Sequence, residues 1–154
     1  MAARPDLAAA ESTGARKPLL HSLIGYRLRR AWIRMRVDFA TTMAPLELRP
    51  VLFAVLDVVG AAPGIIQMRV GTELGIQRAN LVPLIAELEG RGLLLRRPSP
   101  HDRRAFALFL TPAGAALLDK AERMVRAHED RVLASLSERD RRTLLELLEK
   151  IGTE

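Results

Sequence analysis

Arg96, Arg97, Arg103 and Arg104 flank a short Pro/Ser/His/Asp turn within residues 93–114, LLLRRPSPHDRRAFALFLTPAG. Guanidinium groups bind phosphate oxygens through paired hydrogen bonds. On a tight loop they can enter a nucleic-acid groove, where phosphates line both walls and the potential is strongly negative. The apolar-rich runs on either side, residues 93–97 and 105–110, read as the strands of a β-hairpin. Upstream, two short helical patterns meet at Gly75, and Gln77, Arg78, Asn80 and Leu81 open the second of them. This is the outline of a helix-turn-helix, whose second helix presents its N-terminal half to base edges. Arg, Asn and Gln carry the donors and acceptors that match purines in the major groove. Hairpin and helix pair together predict a winged helix that binds double-stranded DNA.

Other chemistries find little support. The chain has no cysteine, which removes disulfides, thiolate metal sites and thiol switches. His21, His101 and His128 are far apart in sequence, so no metal site is expected. Neither a nucleophile elbow nor a phosphate-binding glycine loop is present. An enzyme is therefore not expected, and no cofactor is implied.

Net charge is +6, which suits a polyanion, although an Arg-rich composition could raise it without function. Distribution separates the two readings. Between Glu11 and Asp38 stand Arg16, Lys17, Arg27, Arg29, Arg30, Arg34 and Arg36 with no acid among them. The hairpin is the second basic cluster, whereas the C-terminal third mixes both signs. Localised charge favours function over composition, and the clustered arginines of the hairpin argue against a winged helix used as a protein-interaction module without operator specificity.

The elements that position these groups follow from periodicity. A hydrophobic share of 49% with only 4% aromatic residues suits a mostly helical chain long enough for one core. A first helix is predicted over residues 18–42, with Leu20, Ile24, Leu28, Ala31, Met35 and Phe39 as one stripe. A second is predicted over 46–59 with Pro50 in or near its first turn, a third over 65–74 ended by Gly75, and a fourth over 77–91. Pro83 should bend that fourth helix or delay its start. Thr111-Pro112 opens a fifth, over 112–136, with Leu117, Ala121, Met124, Val125, Val132 and Leu136 facing inward. Ser137 and Asp140 form the capping box of a sixth. Leu144, Leu145, Leu147, Leu148 and Ile151 make that last helix too apolar to stand alone, which predicts a homodimer. No apolar run approaches the ~18 residues of a membrane span, and residues 1–17 lack a signal-peptide core, so a cytoplasmic protein without membrane contact is expected.

This order of elements resembles the MarR family of winged-helix transcriptional regulators over residues 19–151. The matching stretches are LGIQRANLVPLIAELEGRGLLLRR at 74–97 and DRRAFALFLTPAG at 102–114. The resemblance implies a fold that is mainly α with a small β-hairpin wing, built as a dimer. Residues 1–18 would be a disordered arm and 19–154 a single domain, with 19–44 and 112–154 as dimerisation helices and 45–111 as the DNA-binding lobe. Gln77, Arg78, Asn80, Leu81, Arg97, Asp102, Arg103 and Arg104 would form the DNA-binding set, with Arg104 in the minor groove and Asp102 orienting the wing. Val82 and Pro83 depart from the polar residues that many members carry in the recognition helix.

Such regulators are usually released from DNA by a small molecule. The resemblance implies effector-binding roles for His21, Tyr26, Arg27, Arg30, Trp32, Met35, Phe39, Arg49 and Phe53. Ring faces suit an aromatic effector and the arginines its carboxylate or phosphates, while the same aromatics could equally be core packing. IGYRLRRAW at 24–32 and LRP at 48–50 are similar to members that govern aromatic-acid catabolism, some of which sense hydroxycinnamoyl-coenzyme A thioesters. The expectation is a ligand-released repressor of a hydroxycinnamate catabolic operon. The alternative is a regulator of efflux or stress genes responding to phenolic or drug-like ligands.

Overall fold

Prolines and glycines set where the helices start and stop. The computed structural model describes residues 18–99 and 105–152. Its chain divides by internal packing into residues 1–34 and residues 35–154. The arm expected at 1–18, apart from Pro18, lies outside the described residues, as do Asp102, Arg103 and Arg104.

The first unit begins with a 3-10 turn, Leu19–Ser22, and then α1, Ile24–Met43, which continues into the second unit. One helix over 18–42 was expected. It is interrupted because Leu23 is extended (φ −76°, ψ 125°), while Ser22 Oγ donates to the Leu19 carbonyl at 2.7 Å and closes the turn on itself. Arg27 Nε donates to the His21 carbonyl at 2.9 Å.

In the second unit a 3-10 turn, Ala44–Leu46, leads through Glu47 to α2, Pro50–Ala61. The expected start at 46 fails for a steric reason. Proline disfavours helical geometry in the residue before it, and Arg49 is accordingly extended at φ −71°, ψ 152°, leaving Pro50 at the first helical position. Leu52, Val55, Leu56 and Val59 form the buried side of α2.

The third helix, α3, covers only Gln67–Glu73, because Ile65 and Ile66 are used elsewhere. The Ile65 carbonyl accepts from Leu108 N at 2.9 Å, and Ile66 bridges Ala107. Gly75 takes φ +61° at the turn, as its position predicted. Gly71 is needed for a different reason: a Cβ there would lie 2.8 Å from the Ile76 carbonyl oxygen.

The fourth helix, α4, runs from Arg78 to Gly90 straight through Pro83. Of the two effects expected of that proline, a bend or a delayed start, the delayed start does not occur. Its missing N–H costs the helix about 3 kcal/mol. Burial of Leu81, Ile85 and Leu88, at roughly 1.5–3 kcal/mol each, outweighs that cost.

Strands β1, Leu94–Pro98, and β2, Phe106–Leu110, pair antiparallel, with Leu94 opposite Leu110 and Pro98 opposite Phe106. Leu94 and Leu108 enter the core. Thr111 then caps α5, Pro112–Val132, its Oγ1 accepting from Gly114 N at 3.0 Å and donating to the Gly92 carbonyl at 2.6 Å. One hydroxyl thus ties the base of the hairpin to the next helix.

Helix α5 stops at Val132 rather than 136, where Leu136 N turns back to the Leu133 carbonyl. Its buried face is Gly114, Leu118, Ala121 and His128. Of the expected inward residues only Ala121 is fully buried. Leu117, Met124, Val125, Val132 and Leu136 are half-buried.

The sixth helix, α6, Glu138–Gly152, carries the expected capping box: Asp140 N donates to Ser137 Oγ at 3.2 Å and Ser137 N to Asp140 Oδ2 at 3.1 Å. None of its residues is buried, and Leu145 and Ile151 are 62% and 64% exposed. No helix among the described residues is long and apolar enough to cross a membrane.

Candidate nucleic-acid interface

The fourth helix is held from behind. Leu81, Ile85 and Leu88 anchor α4 in the core, which leaves Gln77, Arg78 and Asn80 exposed at its start. Leu81, named in the DNA-binding set but also part of the apolar stripe of this helix, is 1% exposed and its side chain belongs to the core. Gln77 is the N-cap residue but makes no side-chain capping bond, so its amide does not close the helix end.

Toward its C-terminal end α4 is tied to the turn before α2. Arg91, the residue after the helix, donates to the Glu47 carbonyl at 2.9 Å and to the Leu46 carbonyl at 3.1 Å. Glu47 is the one non-glycine residue with positive φ (+49°) among the described residues. Glu87 of α4 pairs with Arg49. Sequence pattern did not single out Arg91 or Glu87. Both are ordinary helix-end charges until the fold brings residues 46–49 beside them.

The arginines of the hairpin divide. Arg96 is tied to Glu89 at 2.5 Å and its guanidinium lies 5.6 Å from the Phe106 ring centre. Arg97 projects from the neighbouring register position and stacks 5.5 Å from the Phe109 ring centre, a cation–π seat that keeps the charge exposed. Between α3, the start of α4 and the Phe106 end of β2 lies a hollow of about 530 Å³. Gln67, Met68, Gln77, Arg78 and Phe106 are among its lining residues. Sequence reasoning missed this hollow, since its walls come from three separate elements.

The residues expected at an effector fall in both units. In the first, His21 and Tyr26 meet edge to face with ring centres 5.7 Å apart, and Arg30 lies 5.9 Å from the Tyr26 ring centre. Arg27 holds the preceding turn, and Trp32 is 59% exposed.

In the second unit Phe39 contacts Phe53 (6.2 Å) and the buried His128 (5.6 Å), both edge to face, and Met35 is half-buried. Arg49 is exposed apart from its Glu87 pair. His128, which spacing had left without a role, directs Nδ1 to Asp38 at 2.6 Å. Its neighbour Arg131 donates to Asp38 at 2.8 Å and to Thr42 Oγ1 at 2.7 Å. These contacts hold the Asp38 carboxyl below its usual range, the His128 hydrogen bond being the largest cause. No group of metal-ligating side chains occurs among the described residues.

A short helix, a glycine turn, an outward-facing second helix and an antiparallel hairpin with an exposed arginine define a winged helix-turn-helix, mainly α with one small β-hairpin. The sequence pattern of the MarR family matches residues 48–105. A transcriptional regulatory protein assigned to the hcr operon of Thauera aromatica is 33% identical over 129 residues, 83% of this chain and 78% of that protein. The transcriptional repressor CouR bound to a 23-mer DNA duplex matches with a TM-score of 0.84 at 42% identity, covering 88% of this chain and 96% of that one. CouR bound to p-coumaroyl-CoA gives a TM-score of 0.80 at 40% identity, covering 91% and 99%. The chain belongs to the MarR family of transcriptional regulators. It is a regulator and not an enzyme.

Proposed function

We propose that this protein is a cytoplasmic homodimeric repressor of genes for aromatic-acid catabolism, released from its operator by a hydroxycinnamoyl-coenzyme A thioester. The observation that carries this reading is its likeness to CouR, solved both on a DNA duplex and with p-coumaroyl-CoA, at 40–42% identity over nearly the whole chain. Arg27, Arg29, Arg30, Arg34 and Arg36, with no acid among them, add the cationic character that a ligand bearing phosphates requires.

In this proposal Gln77, Arg78 and Asn80 meet base edges, and Arg97, Arg103 and Arg104 engage phosphates or the minor groove, with Asp102 orienting the wing. The dimer spans half-sites about 10 bp apart and blocks transcription by occupancy. His21, Tyr26, Arg27, Arg30, Trp32, Met35, Phe39, Arg49 and Phe53 are the proposed effector residues. Release requires that the thioester bind the DNA-incompetent state more tightly than the competent one.

The test is a titration of p-coumaroyl-CoA, p-coumarate and free coenzyme A into the complex with DNA from upstream of the gene. The thioester is expected to release DNA at micromolar concentration where the free acid and coenzyme A do not. Retention of DNA in all three titrations overturns the effector assignment.

A further inference from the structure

The outward face of α4 lacks the groups that direct readout usually employs. With Leu81, Ile85 and Leu88 turned to the core, a step of 100° per residue puts Ala79, Pro83 and Ala86 on the opposite side, with Val82 at one flank. All four are exposed, Val82 at 40%. None has a side-chain donor or acceptor. Polar groups stand only at the edges of this face: Arg78 on the Val82 side, Asn80 and Glu87 on the other. Glu87, which would repel phosphates, is paired with Arg49. The result is a small, smooth hydrocarbon surface bordered by hydrogen-bonding residues at the start of the helix.

We propose that this protein selects its operator partly through the C5-methyl groups of thymine, read in the major groove by Ala79, Val82, Pro83 and Ala86. The inference rests on the reading of α4 as the DNA-reading helix. Thymine is the base that presents a hydrocarbon in that groove. Small side chains let the helix approach the groove floor closely, and the Pro83 ring offers a rigid apolar surface in place of an N–H. The same face also discriminates against other bases. Guanine O6 and N7, or the cytosine amino group, would lose water opposite these residues and gain no partner, which is penalised. Arg78 and Asn80 fix the helix at its entry, and the apolar face specifies the base pairs next to it.

The experiment uses the full chain and a duplex cut to the footprint that the protein leaves upstream of its own gene. Thymines are replaced by uracil one at a time, which removes the methyl and keeps every hydrogen-bonding group. A random duplex carrying the same replacements serves as control. Each methyl in contact should contribute about fourfold in affinity, the equivalent of one buried CH₂. Val82→Ala and Pro83→Ala, both at exposed positions, should bind the uracil and thymine forms more nearly equally at the base pair each side chain faces. Two results overturn the inference: equal affinity for the thymine operator and the fully uracil-substituted one, or an undiminished uracil penalty in both variants. Salt-sensitive binding without any uracil effect sinks this inference and leaves the DNA-binding reading standing. Failure to bind any duplex sinks both.

Discussion

His128 Nδ1 and Asp38 Oδ2 are 2.6 Å apart, joining the C-terminal part of α5 to the C-terminal half of α1 through a buried ring and a half-buried carboxylate. Because the carboxylate can only accept, Nδ1 must carry the proton. Arg131 donates to the same oxygen, so the carboxylate form is favoured in the fold and the Asp38 pKa is lowered from 3.8. A lowered folded pKa contributes stability that is fully present above the unfolded value and is lost as pH falls through the folded one. Asp38→Asn should therefore lower the melting temperature at neutral pH. Wild type and variant should converge below about pH 4. Melting curves between pH 7 and pH 3 check this, and a gap that stays constant over that range contradicts it.

Glu47 occupies the left-handed region, where a side chain is disfavoured and glycine is not. Glu47→Gly should stabilise the protein by about 0.5–1 kcal/mol. Arg91→Ala, which strips two hydrogen bonds from the same turn, should destabilise it by about 1–3 kcal/mol. Arg49→Ala removes only an exposed pair and should cost about 0–1 kcal/mol. Urea titrations rank the three, and the order is the prediction.

Gly114 has no space for a methyl group: a Cβ there would lie 1.9 Å from the Leu93 carbonyl oxygen. That oxygen accepts from Thr111 N, so the obstacle is fixed backbone at the hairpin base. Gly114→Ala should cost about 3 kcal/mol or more, because either α5 or β1 must shift. Gly152→Ala, with nothing within 4 Å of its Cβ, is the neutral control.

Arg97 stacks on Phe109 with its charge exposed, whereas Arg96 is engaged by Glu89. Arg97→Ala should weaken binding to specific and random duplexes alike and reduce the slope of log affinity against log salt by about 1. Arg96→Ala should change that slope less. Anisotropy titrations at several salt concentrations separate the two, and equal slopes for both variants would contradict the division.

Much of this could be read directly from residue types. Gly75 at the turn, Pro50 and Pro112 at first helical positions and the Ser137–Asp140 box are local signals, and each stands where its chemistry required. The errors arose where tertiary contact overrode local pattern. Ile65 and Ile66 look helical until the hairpin needs their backbone. His128 looks isolated until Asp38 arrives from α1. The tie between Arg91 and the turn at Leu46 and Glu47 links residues over forty positions apart, and no local window contains both.

The apolar side of α6 supplies the last prediction. Leu144, Leu147, Leu148 and Ile151 follow helical spacing and remain exposed, Leu147 at 51% and Ile151 at 64%. Fully burying such a side chain yields roughly 1.5–3 kcal/mol, so several together would hold a second copy of the chain firmly. Leu148→Glu with Ile151→Glu should leave the helical content of the monomer intact, since neither side chain belongs to the core. The same pair should place charges where the partner would pack. Sedimentation should show the wild type as a dimer and the double variant as a monomer. Operator affinity should fall in parallel, because one half-site cannot supply the affinity of two, while weak binding to random DNA at low salt persists. A double variant that remains dimeric assigns the contact between copies to a surface other than α6.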